Sequence, residues 1–154
     1  MCIRDRFNTV SDKEIAIFGF AFKKDTNDTR ESPSIYVCRD LLEERAKLTI
    51  YDPKVDLTKI KMELTYLMAN PDGTLSDLNR DLINNNVRVA DSCEKAADGA
   101  HAIAVLTEWD EFKTADFKNF GPIRESVPIA LATSSTSAPV ASHNALIALI
   151  DETR

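Results

Sequence analysis

From Gly19 to Ser34 the chain reads Gly-Phe-Ala-Phe-Lys-Lys-Asp-Thr-Asn-Asp-Thr-Arg-Glu-Ser-Pro-Ser, with three cations, Lys23, Lys24 and Arg30, in one short stretch. A lysine ammonium neutralises a phosphate as a point charge, and an arginine guanidinium holds two phosphate oxygens at once. Ser32 followed by Pro33 has the composition of a helix N-cap and first helical residue. The free N–H groups and partial positive charge of such a helix end favour the same anion. The chemistry on offer is recognition of a phosphate-bearing ligand. The plainer account is a solvated surface on which these cations pair with Asp25, Asp28 and Glu31. Phe20 and Phe22 are expected to pack in or beside the core, although an aromatic next to a lysine also suits a nucleotide base or sugar.

Other residues sort around this loop. The dinucleotide fingerprint G-x-G-x-x-G is absent, since the chain has four glycines and only Gly19 stands in the loop. Close backbone approach to a pyrophosphate is therefore not expected. Asp52 stands where a ribose-binding acid is found in Rossmann folds, but Asp52-Pro53 is also a common turn. Thr107, Glu108 and Trp109 follow an apolar run and fall on the same ligand edge, with Trp109 equally suited to anchoring the core. Cys2, Cys38 and Cys93 are far apart and show no metal-ligand spacing, which fits reduced structural thiols in a cytoplasmic protein. With only His101 and His143 as histidines, no metal site is expected.

The elements that must position the loop alternate between apolar runs and helical periodicity. Residues 15–19 read as a buried strand, so the cationic loop leaves its carboxyl end, where open α/β sheets place their ligands. Residues 32–45 carry Ile35, Val37, Cys38, Leu41 and Leu42 along one side of a helix. Residues 47–51 read as a second strand, stopped by Pro53. Residues 62–68 fit a short helix or a strand, 70–73 a turn, and 76–83 a helix with Leu78 and Leu82 inward. A third strand is expected over 87–90, and a helix capped by Ser92 through Cys93, Ala96 and Ala97. Residues 101–107 are apolar enough for a strand buried on both faces. A helical stretch over 114–119, a strand over 127–133 and a helical turn over 145–150 complete the pattern. Strands alternating with helices predict an α/β fold, Rossmann-like and three-layered, with a mainly parallel sheet.

The bulk numbers narrow the partners. At 154 residues the chain suits one domain with a sizeable core. Its net charge of −6 gives no general attraction to nucleic acid or an anionic membrane, and neither is expected as a partner. No apolar run reaches the roughly 18 residues of a membrane span, and the first six residues lack the apolar core of a signal peptide.

Several motifs together carry a resemblance. Phe7-Asn8-Thr9-Val10, the stretch from Lys13 to Pro33, Tyr51-Asp52-Pro53-Lys54-Val55, Asp98-Gly99-Ala100-His101-Ala102, Thr107-Glu108-Trp109-Asp110 and Phe112-Lys113 resemble the C-terminal, UDP-binding domain of the UDP-glucose 6-dehydrogenases, within the UDP-glucose/GDP-mannose dehydrogenase family. The resemblance covers residues 7–120. It implies an enzyme that oxidises UDP-glucose to UDP-glucuronate in two NAD-dependent steps. It also implies an N-terminal domain that binds NAD, a central helical region that builds much of a homo-oligomer, and a C-terminal domain that holds the UDP moiety. Carried over residue by residue, it implies that Phe22 and Lys23 contact the substrate and that Arg30 reaches the NAD held mainly by the other domain.

The resemblance also has edges. The family's nucleophilic cysteine lies in a glycine-rich segment upstream of this domain, and none of the three cysteines here matches it, so no catalytic residue is assigned. The chain is expected to be a fragment, inactive alone. Residues 1–6 do not resemble the family's preceding helix. Residues 121–154 lack the Phe-Asp-Gly-Arg motif whose arginine binds substrate, which predicts a frame shift or gene-end artefact near 120–126. Alternatives remain. The loop also has relatives in dehydrogenases of GDP-mannose or UDP-N-acetylhexosamines, and a truncated chain could serve as a non-catalytic interaction module. A receiver-like domain would need clustered acids after the first strand, where this chain has Phe-Ala-Phe-Lys-Lys.

Overall fold

The computed structural model describes residues 9–115 and two short strands, 129–131 and 149–150. In chain order the elements are β1 (Glu14–Phe18), α1 (Pro33–Glu43), β2 (Lys47–Tyr51), α2 (Leu57–Met68), α3 (Asp77–Asn86), β3 (Val87–Val89), α4 (Cys93–Ala97), β4 (Ala102–Val105), α5 (Asp110–Thr114), β5 (Ile129–Leu131) and β6 (Leu149–Ile150). The sheet has the order β3-β2-β1-β4-β5-β6. All neighbours are parallel except β5 with β6. This is the expected Rossmann-like α/β fold. The residues read as a foreign leader, 1–6, and most of those read as an atypical tail, 121–154, lie outside the described residues.

Strands β1 to β4 form where β-branched residues meet a buried surface. Ile17 of β1 lies opposite Ile50 of β2 and Ala104 of β4, and β4 is buried along its whole length. The right-handed rule for parallel crossovers puts α1, α2 and α3 on one face of the sheet and α4, the return from β3 to β4, on the other. In α2, Ile60, Leu64 and Met68 recur every fourth residue and are buried. Each such side chain contributes roughly 1.5–3 kcal/mol relative to exposure. Side chains cap four helices: Ser32 accepts from Ser34 N, Asp56 from Lys59 N, Ser76 from Asn79 N and Ser92 from Lys95 N.

Of the two readings of residues 62–68 the helix holds, as part of α2. Other local expectations need correcting. Leu78 points outward, with 59% of its surface exposed. The inner stripe of α3 runs instead through Asn79, Leu82, Ile83 and Asn86. The two asparagines tolerate it because Asn79 Nδ2 donates to Met68 O and Asn86 Nδ2 to Ala46 O. A short helix, α5, precedes the stretch expected to be helical over 114–119, which from residue 116 on lies outside the described residues; α5 carries Asp110 and Glu111 in its first turn, where the helix dipole favours acids. Leu149 and Ile150 pair with β5 as a strand and not as a helical turn, completing backbone hydrogen bonds that β5 offers at its outer side.

Candidate functional site

The strand order reverses between β1 and β4, because β1 is followed on one side by β2 and β3 and on the other by β4. Loops leaving the carboxyl ends of strands at such a point diverge and leave a crevice, the usual ligand position in open α/β sheets. The Gly19–Ser32 loop leaves β1 there, and the segment from Leu106 to Trp109 leaves β4. They touch at the base. Gly19 has φ +88°, and a Cβ added to it would lie 2.4 Å from Thr107 Cβ. Only glycine fits both the conformation and the space.

The next two residues are held on all of their backbone polar groups. Phe20 N and Ala21 N both donate to Asp52 Oδ2, at 2.7 and 3.0 Å. Phe20 O accepts from Ser32 Oγ and Ala21 O from Thr107 Oγ1. Asp52 is 7% exposed. Its other oxygen accepts from Lys54 N at 2.8 Å and Val55 N at 3.0 Å, and Oδ2 also accepts from Trp109 Nε1 at 3.2 Å. The ribose-acid reading of Asp52 is thereby displaced: both oxygens face protein N–H donors at the foot of the loop. Trp109 is a core anchor, 6% exposed. Phe20 is buried as expected, but Phe22 is 53% exposed, since the chain turns outward after Ala21 and Phe22 N bonds back to Asp28 O.

Beyond that base the loop reaches solvent. The three cations have different fates. Lys24 pairs with Asp110 of α5 at 3.1 Å. Arg30 holds Asp28 through Nε and Nη2, the latter at 2.7 Å. This contact keeps the Asp28 carboxyl well below the usual carboxylate range and raises Arg30 further. Lys23 is exposed and makes no hydrogen bond or ion pair with the described residues. So the plainer account of the loop, paired surface charge, holds for Arg30, in part for Lys24 through a different acid, and not for Lys23.

The turn after β2 and helix α2 brace the apex. Lys54 Nζ donates to Asp25 O, Lys59 Nζ to Asn27 O, and the buried Thr29 Oγ1 to Glu63. Nothing in the linear sequence marks Lys54, Lys59 or Glu63 for this task, because the contacts span some thirty residues. An open groove of about 790 Å³ lies between the apex, α1 and α2, lined by Phe22, Arg30, Ile35, Tyr36, Tyr66 and Leu67 among others. It brings Phe22 and Arg30 to one place, while Lys23 is not among its walls. A second groove, about 730 Å³, runs past Thr49, Arg88 and His101 and contains none of the loop's cations; two of its charges, Lys95 and Asp91, pair with each other.

Among the described residues no thiol is poised for nucleophilic work. Burial pushes the Cys38 thiol far above its ordinary value, and Cys93 is pushed up to about 12 by burial and by the nearby Glu111 and Glu94. A thiolate nucleophile needs the opposite shift. Among the described residues no group of three or more His, Cys, Asp or Glu side chains is arranged to hold a metal ion, and no helix is long and apolar enough to cross a membrane.

Comparison with known proteins gives one consistent result. The family model described as "UDP-glucose/GDP-mannose dehydrogenase family, UDP binding domain" matches residues 16–133. The chain is 48% identical over 118 residues to UDP-glucose 6-dehydrogenase 1 of Arabidopsis thaliana, covering 75% of this chain and 24% of that protein. It is 49% identical over 112 residues to UDP-glucose 6-dehydrogenase of Gallus gallus, covering 73% and 21%. It thus spans about a quarter of the length of these relatives or less. Among solved structures, a UDP-glucose dehydrogenase of the archaeon Pyrobaculum islandicum shares the fold, with TM-score 0.56 and 20% identity over 82% of this chain and 24% of that one. A UDP-D-ManNAc dehydrogenase of Pyrococcus horikoshii aligns with TM-score 0.50 and 25% identity over 76% and 21%.

Proposed function

The chain belongs to the UDP-glucose/GDP-mannose dehydrogenase family, as its UDP binding domain, and we propose that it forms the UDP-sugar half of a dehydrogenase's substrate site. Phe22 and Lys23 contact the substrate at the apex of the loop. Lys23 supplies an uncommitted positive charge for the diphosphate, and Phe22 an exposed ring face for the sugar or base. The observation that carries this reading is the contrast among the cations: of the three, Lys23 alone has no partner among the described residues, while the backbone just before it is fully held.

The substrate of the whole enzyme is UDP-glucose, oxidised to UDP-glucuronate with two NAD. Support for glucose over other sugars comes from curated relatives at 48–49% identity that are UDP-glucose 6-dehydrogenases. NAD is bound mainly by a separate N-terminal domain, with Arg30 reaching toward it across the groove that Phe22 also lines. The catalytic thiol comes from outside this chain, in keeping with the burial of Cys38 and Cys93. The full enzyme works as a homo-oligomer in the cytoplasm, and this chain alone does not turn over UDP-glucose.

The test is calorimetric titration of the 154-residue chain with UDP, UDP-glucose, GDP and NAD. UDP and UDP-glucose are expected to bind and GDP is not. Binding of GDP alone would move the substrate to another nucleotide sugar. A folded chain that binds none of them would favour an interaction module.

A further inference from the structure

We infer that Asp52 is a positioning residue for the substrate loop: its carboxylate, aimed by its own turn, sets the backbone from which Phe22 and Lys23 project. The inference rests on the reading that this loop receives the UDP-sugar. Oδ1 is fixed locally, by Lys54 N and Val55 N two and three residues on, an Asx turn closed by Asp52 itself. That aims Oδ2 at the foot of a loop more than thirty residues earlier, where the successive N–H groups of Phe20 and Ala21 converge on it. Two consecutive N–H groups bound to one oxygen restrict the torsions between them, and the next residues in the chain are Phe22 and Lys23.

The task falls to this side chain for a reason of charge. The other two clamps at the base, Ser32 and Thr107, donate hydroxyl protons to Phe20 O and Ala21 O. Neither is engaged with the N–H groups. Phe20 and Ala21 are 0% and 1% exposed, so water is a poor substitute. Trp109 Nε1 closes the arrangement and ties the β4–α5 segment to the same oxygen. One carboxylate thus joins the three loops at the carboxyl edge of β1, β2 and β4. Asp52 does this without touching the ligand. An asparagine in its place has the same shape but turns an NH2 group toward N–H donors on one side, whichever way its amide is oriented.

The experiment compares wild type, Asp52→Asn, Trp109→Phe and Ile83→Val. The last trims a buried side chain of α3, away from the loop. UDP affinity is measured by calorimetry with every variant held well below its unfolding temperature, and amide hydrogen exchange is followed at Phe20–Lys23 without ligand. Asp52→Asn is expected to weaken UDP at least tenfold, and to speed exchange of Phe20 and Ala21 by a similar factor beyond its effect on remote strands. Ile83→Val should lower the unfolding temperature and leave the UDP dissociation constant unchanged. Trp109→Phe keeps four of the five donors and should weaken UDP about threefold; it carries the test if Asp52→Asn does not fold. Wild-type affinity in Asp52→Asn, or in Trp109→Phe where that variant stands in, overturns the inference, as does unchanged exchange at Phe20 and Ala21. Failure of the wild type itself to bind UDP would instead overturn the functional reading, and the exchange result would still decide whether Asp52 sets the loop.

Discussion

Phe20 and Ala21 share a loop with Phe22 and Lys23, yet the two pairs live under different physics. The first pair is buried, with both amides and both carbonyls engaged by side chains from the loop's own end and from two other segments. The second is exposed, and its cation has no partner among the described residues. Rigid base and open apex form a division of labour: fixed geometry is supplied where water is excluded, and chemistry is presented where a ligand can reach it. Changes at the base should therefore cost stability, and should reach binding only through the geometry of the loop. Changes at the apex should be read as lost binding with the fold intact.

The largest expected effect tests the base. Asp52→Ala removes the acceptor of five N–H donors, four of them buried, and each orphaned buried donor costs roughly 1–3 kcal/mol, so a loss of at least about 4 kcal/mol is expected in urea unfolding. A loss under about 1 kcal/mol would show that water replaces the carboxylate and that the base is not rigid. Gly19→Ala comes next. A left-handed alanine costs about 1–2 kcal/mol, and overlap with Thr107 adds a comparable amount. A thermal melt lowered by several degrees is the expected outcome, and an unchanged one would mean that the β1 and β4 loops part readily.

At the apex the expected stability effects are small. Arg30→Ala removes an exposed, solvent-screened ion pair, and such pairs contribute little, so the unfolding midpoint should barely move. The pH dependence sharpens this point. The Arg30 guanidinium holds the Asp28 carboxyl below the ordinary carboxylate range, so whatever the pair contributes is present above about pH 4 and lost as pH falls toward the folded value. Removing Arg30 should therefore lower the unfolding temperature by the same small amount between about pH 5 and 8, and the difference from wild type should vanish in acid. A large shift near neutrality would contradict the view of the apex as structurally idle.

How much of this was legible in the sequence follows the same division. The Ser32-Pro33 helix start is a local signal and stands as expected, because a cap and a fixed φ act within one turn. The order of strands followed from apolar runs bounded by turns. Asp52 was readable as a turn former, but not as the partner of Phe20, Ala21 and Trp109, since contacts across some thirty and sixty residues leave no periodic trace. Leu78 misled because hydrophobicity was weighed without the inward asparagines, whose amides are satisfied by the carbonyls of Met68 and Ala46. The charged loop was visible in outline. Which of its cations stayed uncommitted required the acids to be placed in space.

Whether Lys23 serves binding and not the fold is decided by one paired measurement. UDP is titrated into wild type and Lys23→Ala by calorimetry, alongside thermal melts of both. At least a tenfold loss of UDP affinity is expected, about 1.4 kcal/mol or more, with melting temperatures that coincide. Equal UDP affinity in the two proteins would contradict it, and so would a loss of binding that merely tracks a lowered melting temperature.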